Sequence, residues 1–223
     1  ITGLQPNTTY TVRALVNNWP TTEATFTTEE AFQIPDGGFD KEWTKDVIDA
    51  VSTGIGDAIG LIGRDIDVWY PYNKDNKEGL FWSTSNLETT SANTQWGTAY
   101  YIQYSGVRNV NNAAELTTVA WGEGSTFTLL GGEIKNVTPG SLFAASYVDG
   151  ELVEGHPISS RPAKLKFNYK YKPYKSDKFV VTVILENNTE GTIVEKTVQV
   201  PDAKDLFTSY ELDFSSYITD EAK

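Results

Sequence analysis

The run 160–186, SRPAKLKFNYKYKPYKSDKFVVTVILE, limits the possible folds more than any other part of the chain. Leu165, Phe167, Tyr169 and Tyr171 alternate strictly with Lys164, Lys166, Asn168 and Lys170. Successive side chains of a pleated strand point to opposite faces, so this spacing buries a row of rings and wets a row of lysines. Pro173 closes the strand, and a polar turn follows at Ser176 and Asp177. Residues 178–186 are apolar on both faces, with Phe179, Val181, Val183 and Leu185 set against Val180 and Ile184. A strand of that kind belongs near the centre of two packed layers. Together the two segments predict a core hairpin of a β-sandwich.

Further strands read at 10–16, 24–28, 65–72, 79–86, 98–107, 116–121, 125–130, 142–148, 192–200 and 206–214. Gly, Asn and Pro turns separate them, and NKDNKE (73–78) reads as a polar hairpin loop. Many short strands at such intervals predict an all-β fold, an antiparallel sandwich or jelly roll. Residues 32–43 predict a strand, a Gly-Gly turn and a second aromatic pair. In 44–64 the spacing of Val47, Val51, Ile55, Ile59 and Ile62 is near-helical. Gly54, Gly56, Gly60 and Gly63 each weaken a helix by up to ~1 kcal/mol relative to Ala. The segment is therefore read as a long loop holding one or two helical turns.

Residues 1–28 read as the tail of a domain. Leu4, Pro6, Thr8 and Tyr10 form a Leu-x-Pro-x-Thr-x-Tyr turn that runs straight into a strand. This arrangement resembles the E–F corner of a fibronectin type III or related immunoglobulin-like sandwich, where the tyrosine hydroxyl bonds back to upstream backbone. Only two strands of such a sandwich are present, and a lone hairpin is not stable. The expectation is a partial immunoglobulin-like hairpin cut from a longer polypeptide, its missing strands supplied by the rest of that chain, or else a hairpin docked on the second domain. A linker at 27–30 leads to a second domain at 32–223. No closing strand is legible after Phe214, so that domain reads as truncated at its C-terminus.

Hydrophobic residues make up 39% of the chain and aromatic residues 13%, with 12 Tyr and 6 Trp, which provides a core and leaves rings over. The formal net charge of −12 repels phosphate backbones and anionic lipid, which argues against nucleic acid and against a polybasic membrane contact. No stretch reaches the ~18 apolar residues of a membrane span, so no membrane insertion is expected. With no Cys, disulfides and thiolate metal sites are excluded.

Several landmarks occur in a recognisable order. They are Gly38-Phe39-Asp40 with Trp43, Trp69, Phe81-Trp82 with Asn86, the run 113–117 (AAELT), and Gly140-Ser141-Leu142-Phe143. Pro157, Arg161-Pro162, Leu165, Tyr169-Lys170-Tyr171 and Asp177 complete the set. Their order and spacing over residues 32–217 resemble the bacterial PCMD family of carbohydrate-metabolism domains. The resemblance implies a jelly roll carried behind an immunoglobulin-like domain. It also implies export to the periplasm or outer surface of a Gram-negative bacterium, and a role in handling oligo- or polysaccharide. The missing closing strand and the Gly-rich segment 44–64 depart from the family pattern.

Sugar recognition needs flat rings for the C–H face of the sugar and polar groups for its hydroxyls. Trp69, Trp82 and Trp96 lie beside polar, turn-rich sequence and are the candidate platforms, with Asn86 and Arg161 as polar contacts. For any single Trp a core role is commoner, so the argument rests on the collective excess. A glycosidase would need two carboxyls ~5–9.5 Å apart. Asp65 and Asp67, on one strand face with Trp69, are the suggestive pair, and Glu78 and Glu88 are weaker. The lone His156 rules out a multi-histidine metal centre, and a structural role in its turn is the commoner outcome. An Arg such as Arg161 is more often paired, here with Asp177 or Glu186. Asp36 and Asp40 could give two oxygens to a structural Ca²⁺, short of the 6–8 that this ion takes. The expected function is non-catalytic glycan binding. Its rivals are a glycoside hydrolase using Asp65 or Asp67, and a structural or adhesion module with the same rings buried.

Overall fold

The computed structural model describes residues 3–50, 64–93, 100–102, 104–120, 137–187 and 191–217. The first strands are β1 (Thr9–Val12), β2 (Leu15–Val16), β3 (Trp19–Pro20), β4 (Ala24–Thr27), β5 (Thr44–Ala50), β6 (Arg64–Tyr70) and β7 (Trp82–Thr84). A short helix α1 (Asn86–Thr90) precedes β8 (Ser91–Asn93), β9 (Tyr100–Ile102), β10 (Val107–Asn109), β11 (Ala114–Leu116) and β12 (Val119–Ala120). Then come β13 (Val137–Thr138), β14 (Leu142–Val148), β15 (Glu151–Glu154), β16 (Lys164–Tyr171), β17 (Phe179–Asn187), β18 (Gly191–Val200) and β19 (Lys204–Asp213). The described protein is all-β, and every strand pairing in it is antiparallel. Two compact units share the chain: residues 1–32 with 158–223, and residues 33–157. The grouping of residues 158–223 with the N-terminal hairpin crosses the single linear boundary expected at 27–30.

In the first unit β16 pairs with β19, and β17 with β18. Val194, Leu212 and Phe214 are buried, and Leu165, Val181, Val183, Leu185, Val198 and Tyr210 pack on them. Side chains of both ribbons thus meet in one core, as in a sandwich. The hairpin expected within 160–186 is corrected here: β16 and β17 do not hydrogen-bond each other but lie in different ribbons. The aromatic row explains this. Phe167 and Tyr169 meet Phe179 through their rings, at 6.1 and 5.8 Å between centroids, so the two strands face each other through side chains. The second face of β17 is also wetter than expected, with Val180 and Ile184 50% and 55% exposed opposite Gln199 and Glu195.

The N-terminal strands follow their sequence pattern. Tyr10 stacks on Phe26 across the β1–β4 ladder at 5.9 Å, and the Gln5 amide donates to the Tyr10 hydroxyl at 2.7 Å. The tyrosine corner expected from the Leu-x-Pro-x-Thr-x-Tyr turn is therefore present.

The second unit is built on β5–β6, β8–β9, β10–β11, β12–β13 and the three-stranded β15–β14–β7. Its core includes Trp43, Val68, Leu80, Phe81, Val107, Val119 and Ala145. Residues 44–50 form a full strand rather than part of a loop. Their register against β6, from Thr44↔Tyr70 to Ala50↔Arg64, overrides the helical spacing of the apolar residues. The rest of that expected loop, 51–63, lies outside the described residues, as does the strand expected at 125–130. No strand forms in 32–43, although the turn at 35–38 does. No helix among the described residues is long and apolar enough to cross a membrane.

Candidate functional site

Asn86, expected at a sugar, is instead an internal bracket. It is 1% exposed; its Nδ2 donates to the carbonyls of Trp69 and Val107 at 2.7 and 2.8 Å, and its Oδ1 accepts the Val107 amide at 2.8 Å. An amide that donates two hydrogen bonds to backbone and accepts a third has little capacity left for a ligand. Arg161 lies in the other unit and is committed to Glu29: its Nε donates at 3.0 Å, and its backbone N–H and Nη2 bond the same carboxylate. The partner is Glu29 rather than Asp177 or Glu186.

Trp69 is half-buried in β6. Its amide donates to Ser105 Oγ at 3.2 Å, and Ser105 in turn donates to the Asp67 carbonyl at 2.9 Å. The Lys45 ammonium lies 5.8 Å from the Trp69 ring centroid and 2.9 Å from the Asp67 carboxylate. Asp67, one of the alternative catalytic pair, is thus held in an exposed ion pair. The backbone of Asp65 stands opposite Asp49 in the ladder. Trp96 lies outside the described residues. His156 has the structural role expected, with Nδ1 3.0 Å from the Ala145 carbonyl and its ring 4.8 Å from Phe81.

Trp82 leads to a different place. The indole is half-buried, 4.9 Å edge-on to Phe81 and 5.6 Å from Phe39. Beside it is a cavity of about 250 Å³. Leu80, Phe81 and Trp82 form one side, entered from Gly79 at φ +70°, a left-handed conformation that glycine adopts without strain. Pro35, Asp36 and Lys41 form a second side. The Phe39 amide donates to the Asp36 carbonyl at 3.1 Å, and Asn109 Nδ2 ties down the Phe39 carbonyl at 2.8 Å. Asp36 and Phe39 both take φ near +50°, within the range that an Asp tolerates.

The third side is the loop after β6, with Tyr72, Asn73, Asn76 and Glu78. Two successive Asx turns shape it: Asn73 Oδ1 accepts the Asp75 amide at 2.9 Å, and Asn76 Oδ1 accepts the Glu78 amide at 3.1 Å. Each leaves its Nδ2 donors outside the turn. Thr44, opening β5, donates to the Tyr72 carbonyl at 2.5 Å and accepts the Lys74 amide at 3.3 Å. Lys77 caps the Tyr147 ring at 4.9 Å. The loop is braced at both ends before any ligand arrives.

Four buried side-chain polar atoms among the described residues have no hydrogen-bond partner, and two of them, Trp82 Nε1 and Asp36 Oδ1, are on residues that line this cavity. An unpaired buried donor and acceptor cost stability, and both atoms are closed to solvent. Burial pushes the Asp36 carboxyl above the ordinary carboxylate range, the Lys41 amide and ammonium pull it back, and Asp40 adds to the rise. Asp36 and Asp40 are thus neighbours, as a Ca²⁺ site would require. No group of three or more acidic, His or Cys side chains forms there or elsewhere among the described residues. Of the residues singled out in the sequence, the structure brings Trp82, Asp36 and Glu78 to one cavity. Lys41, Tyr72 and Asn76 were missed; only Asn76 carries a signal, the Asn-rich loop just before Trp82.

No family model matches this chain, and no curated protein or solved structure matches it significantly.

Proposed function

We propose that the second unit binds carbohydrate without cleaving it, in the cavity between Trp82, Asp36 and the 72–78 loop. The observation that carries this reading is a lining that combines ring-bearing side chains, Tyr72, Phe81 and Trp82, with the polar side chains of Asp36, Asn73, Asn76 and Glu78. A sugar hydroxyl both donates and accepts, so adjacent hydroxyls suit a polar rim of this kind while a C–H face rests on a ring. The Asn73 and Asn76 amides add further donors at the loop. In keeping with the PCMD resemblance, the natural partner under this reading is an oligo- or polysaccharide met outside the cell. Asp67, held by Lys45, is not among the described lining residues of the cavity, so the carboxylate expected for hydrolysis is not brought to it. Glycan-array binding of the whole chain, run beside a reducing-sugar release assay, tests the proposal. Binding with no release is expected. Release of reducing ends would replace it with the hydrolase reading, and a silent array with the structural one.

A further inference from the structure

One end of the first unit differs in charge from the rest of the chain. Six of the 18 Lys and Arg residues fall within residues 164–178, where Asp177 is the only acid. Lys164 and Lys166 are neutralised across the ladder by Glu211, at 2.6 and 3.0 Å. Lys170, Lys172, Lys175 and Lys178 form no ion pair among the described residues. All four lie where β16 ends. The Tyr171 hydroxyl donates to the Asp177 carbonyl at 2.8 Å, which folds the 172–178 turn against the strand end. Lys204, the first residue of β19, stands opposite Tyr171 and holds Asp202 at 3.7 Å. Four ammoniums therefore stand against two carboxylates there, Asp177 and Asp205.

Apolar side chains protrude at the same end. Leu206, Phe207 and Tyr174 are 78%, 59% and 73% exposed, and Lys170 and Lys175 lie 5.2 Å from the Phe207 and Tyr174 ring centroids. Exposed apolar groups ringed by lysines match an anionic bilayer: headgroups pair with the ammoniums, and the acyl boundary takes the apolar side chains. The net charge of −12 does not prevent this, because charges farther than ~8 Å are largely screened at physiological salt. Leu206 decides between partners. A soluble polyanion has no apolar phase to take an aliphatic side chain out of water, and a bilayer does.

We propose that this end of the first unit docks on an anionic lipid surface, with Leu206, Phe207 and Tyr174 at the headgroup boundary and the four lysines on phosphates. The contact is peripheral, and it does not rest on the carbohydrate reading.

Sedimentation of the whole chain with phosphatidylcholine vesicles, alone or with phosphatidylglycerol added, tests this. Binding to the anionic vesicles should be at least about tenfold stronger than to the neutral ones and should weaken in high salt. Leu206→Ser should weaken it at least about fivefold, and Lys172→Glu combined with Lys175→Glu at least about tenfold. Both sites are exposed, so the variants should fold. Ile184→Ser, an equally open position farther along β17, is the control and should leave binding unchanged. No vesicle binding, equal binding to both kinds of vesicle, or unchanged binding in Leu206→Ser would overturn the proposal. Binding to alginate that needs the lysines but not Leu206, without vesicle binding, would replace it with a polyanion site.

Discussion

Asn86 pairs with Val107 as a neighbouring strand would: Nδ2 donates to the Val107 carbonyl and Oδ1 accepts the Val107 amide, both at 2.8 Å. A third bond to the Trp69 carbonyl at 2.7 Å places one side chain between β6 and β10. Truncation leaves three backbone groups unpaired in a dry interior. Asn86→Ala should therefore cost about 3 kcal/mol or more in a urea titration, since each buried group left without a partner costs ~1–3 kcal/mol.

A second prediction concerns a close backbone approach in the same unit. A Cβ on Gly140 would lie 2.5 Å from the Gly106 carbonyl oxygen and 2.7 Å from that of Thr117, and neither atom can swing away as a side chain can. Gly140→Ala should destabilise by about 2–3 kcal/mol, as overpacking does. Substituting Gly38, whose Cβ would meet nothing within 4 Å, is the control and should have little effect.

The Glu29–Arg161 pair gives a pH-dependent signature in the other unit. Hydrogen bonds from Arg161 hold the Glu29 carboxyl below its ordinary range, only partly opposed by burial. A lowered folded-state pKa contributes stability that is present above the unfolded carboxylate value and lost as pH falls through the folded one. Both side chains are about half exposed, at 46% and 50%, so solvent screening limits the pair to at most about 1 kcal/mol. Glu29→Gln should lower the urea midpoint slightly at pH 7, and the gap should close as pH drops below ~4. A gap that persists in acid would mean that the carboxylate is not the source.

These three sites show how far the sequence carries. The alternation in β16 and β19 is legible because one face is dry and the other wet, and the Tyr10 corner is legible because its turn residues are local. Strand pairing is not legible in the same way. Whether β16 pairs with β17 or β19 depends on which backbone meets which, and alternating residues serve either choice. Residues 44–50 read as loop because Val47 opens a near-helical stripe with Val51, and the pairing with β6 is not visible in sequence. Asn86 illustrates the site problem. An Asn beside a Trp reads the same whether it faces a sugar or a strand, and only burial separates the two. The cavity was half legible, through Trp82 and the Asn-rich loop, while Lys41 and Tyr72 join it by folding alone.

Asp36 should be a stability liability of the kind common at binding sites. Its carboxyl is raised chiefly by burial, so the folded state is favoured below the unfolded carboxylate value and loses that advantage as pH rises through the folded one. Asp36→Asn should accordingly raise the melting temperature at pH 7, and the gain should vanish in acid. No gain at neutral pH would indicate that Lys41 already compensates the carboxylate.

The claim that a sugar sits beside Trp82 can be read at its indole. The chain has 6 Trp, so its ¹⁵N–¹H spectrum carries a small set of indole peaks, and Trp82→Phe identifies one of them by its loss. On titration with a bound sugar, that peak should move by more than any other indole peak, and Trp82→Phe should weaken binding by at least about fivefold without unfolding the protein, as loss of ring contact area does. A Trp82 indole signal that stays fixed while sugar binds, with affinity unchanged in Trp82→Phe, would contradict the account and move the site elsewhere.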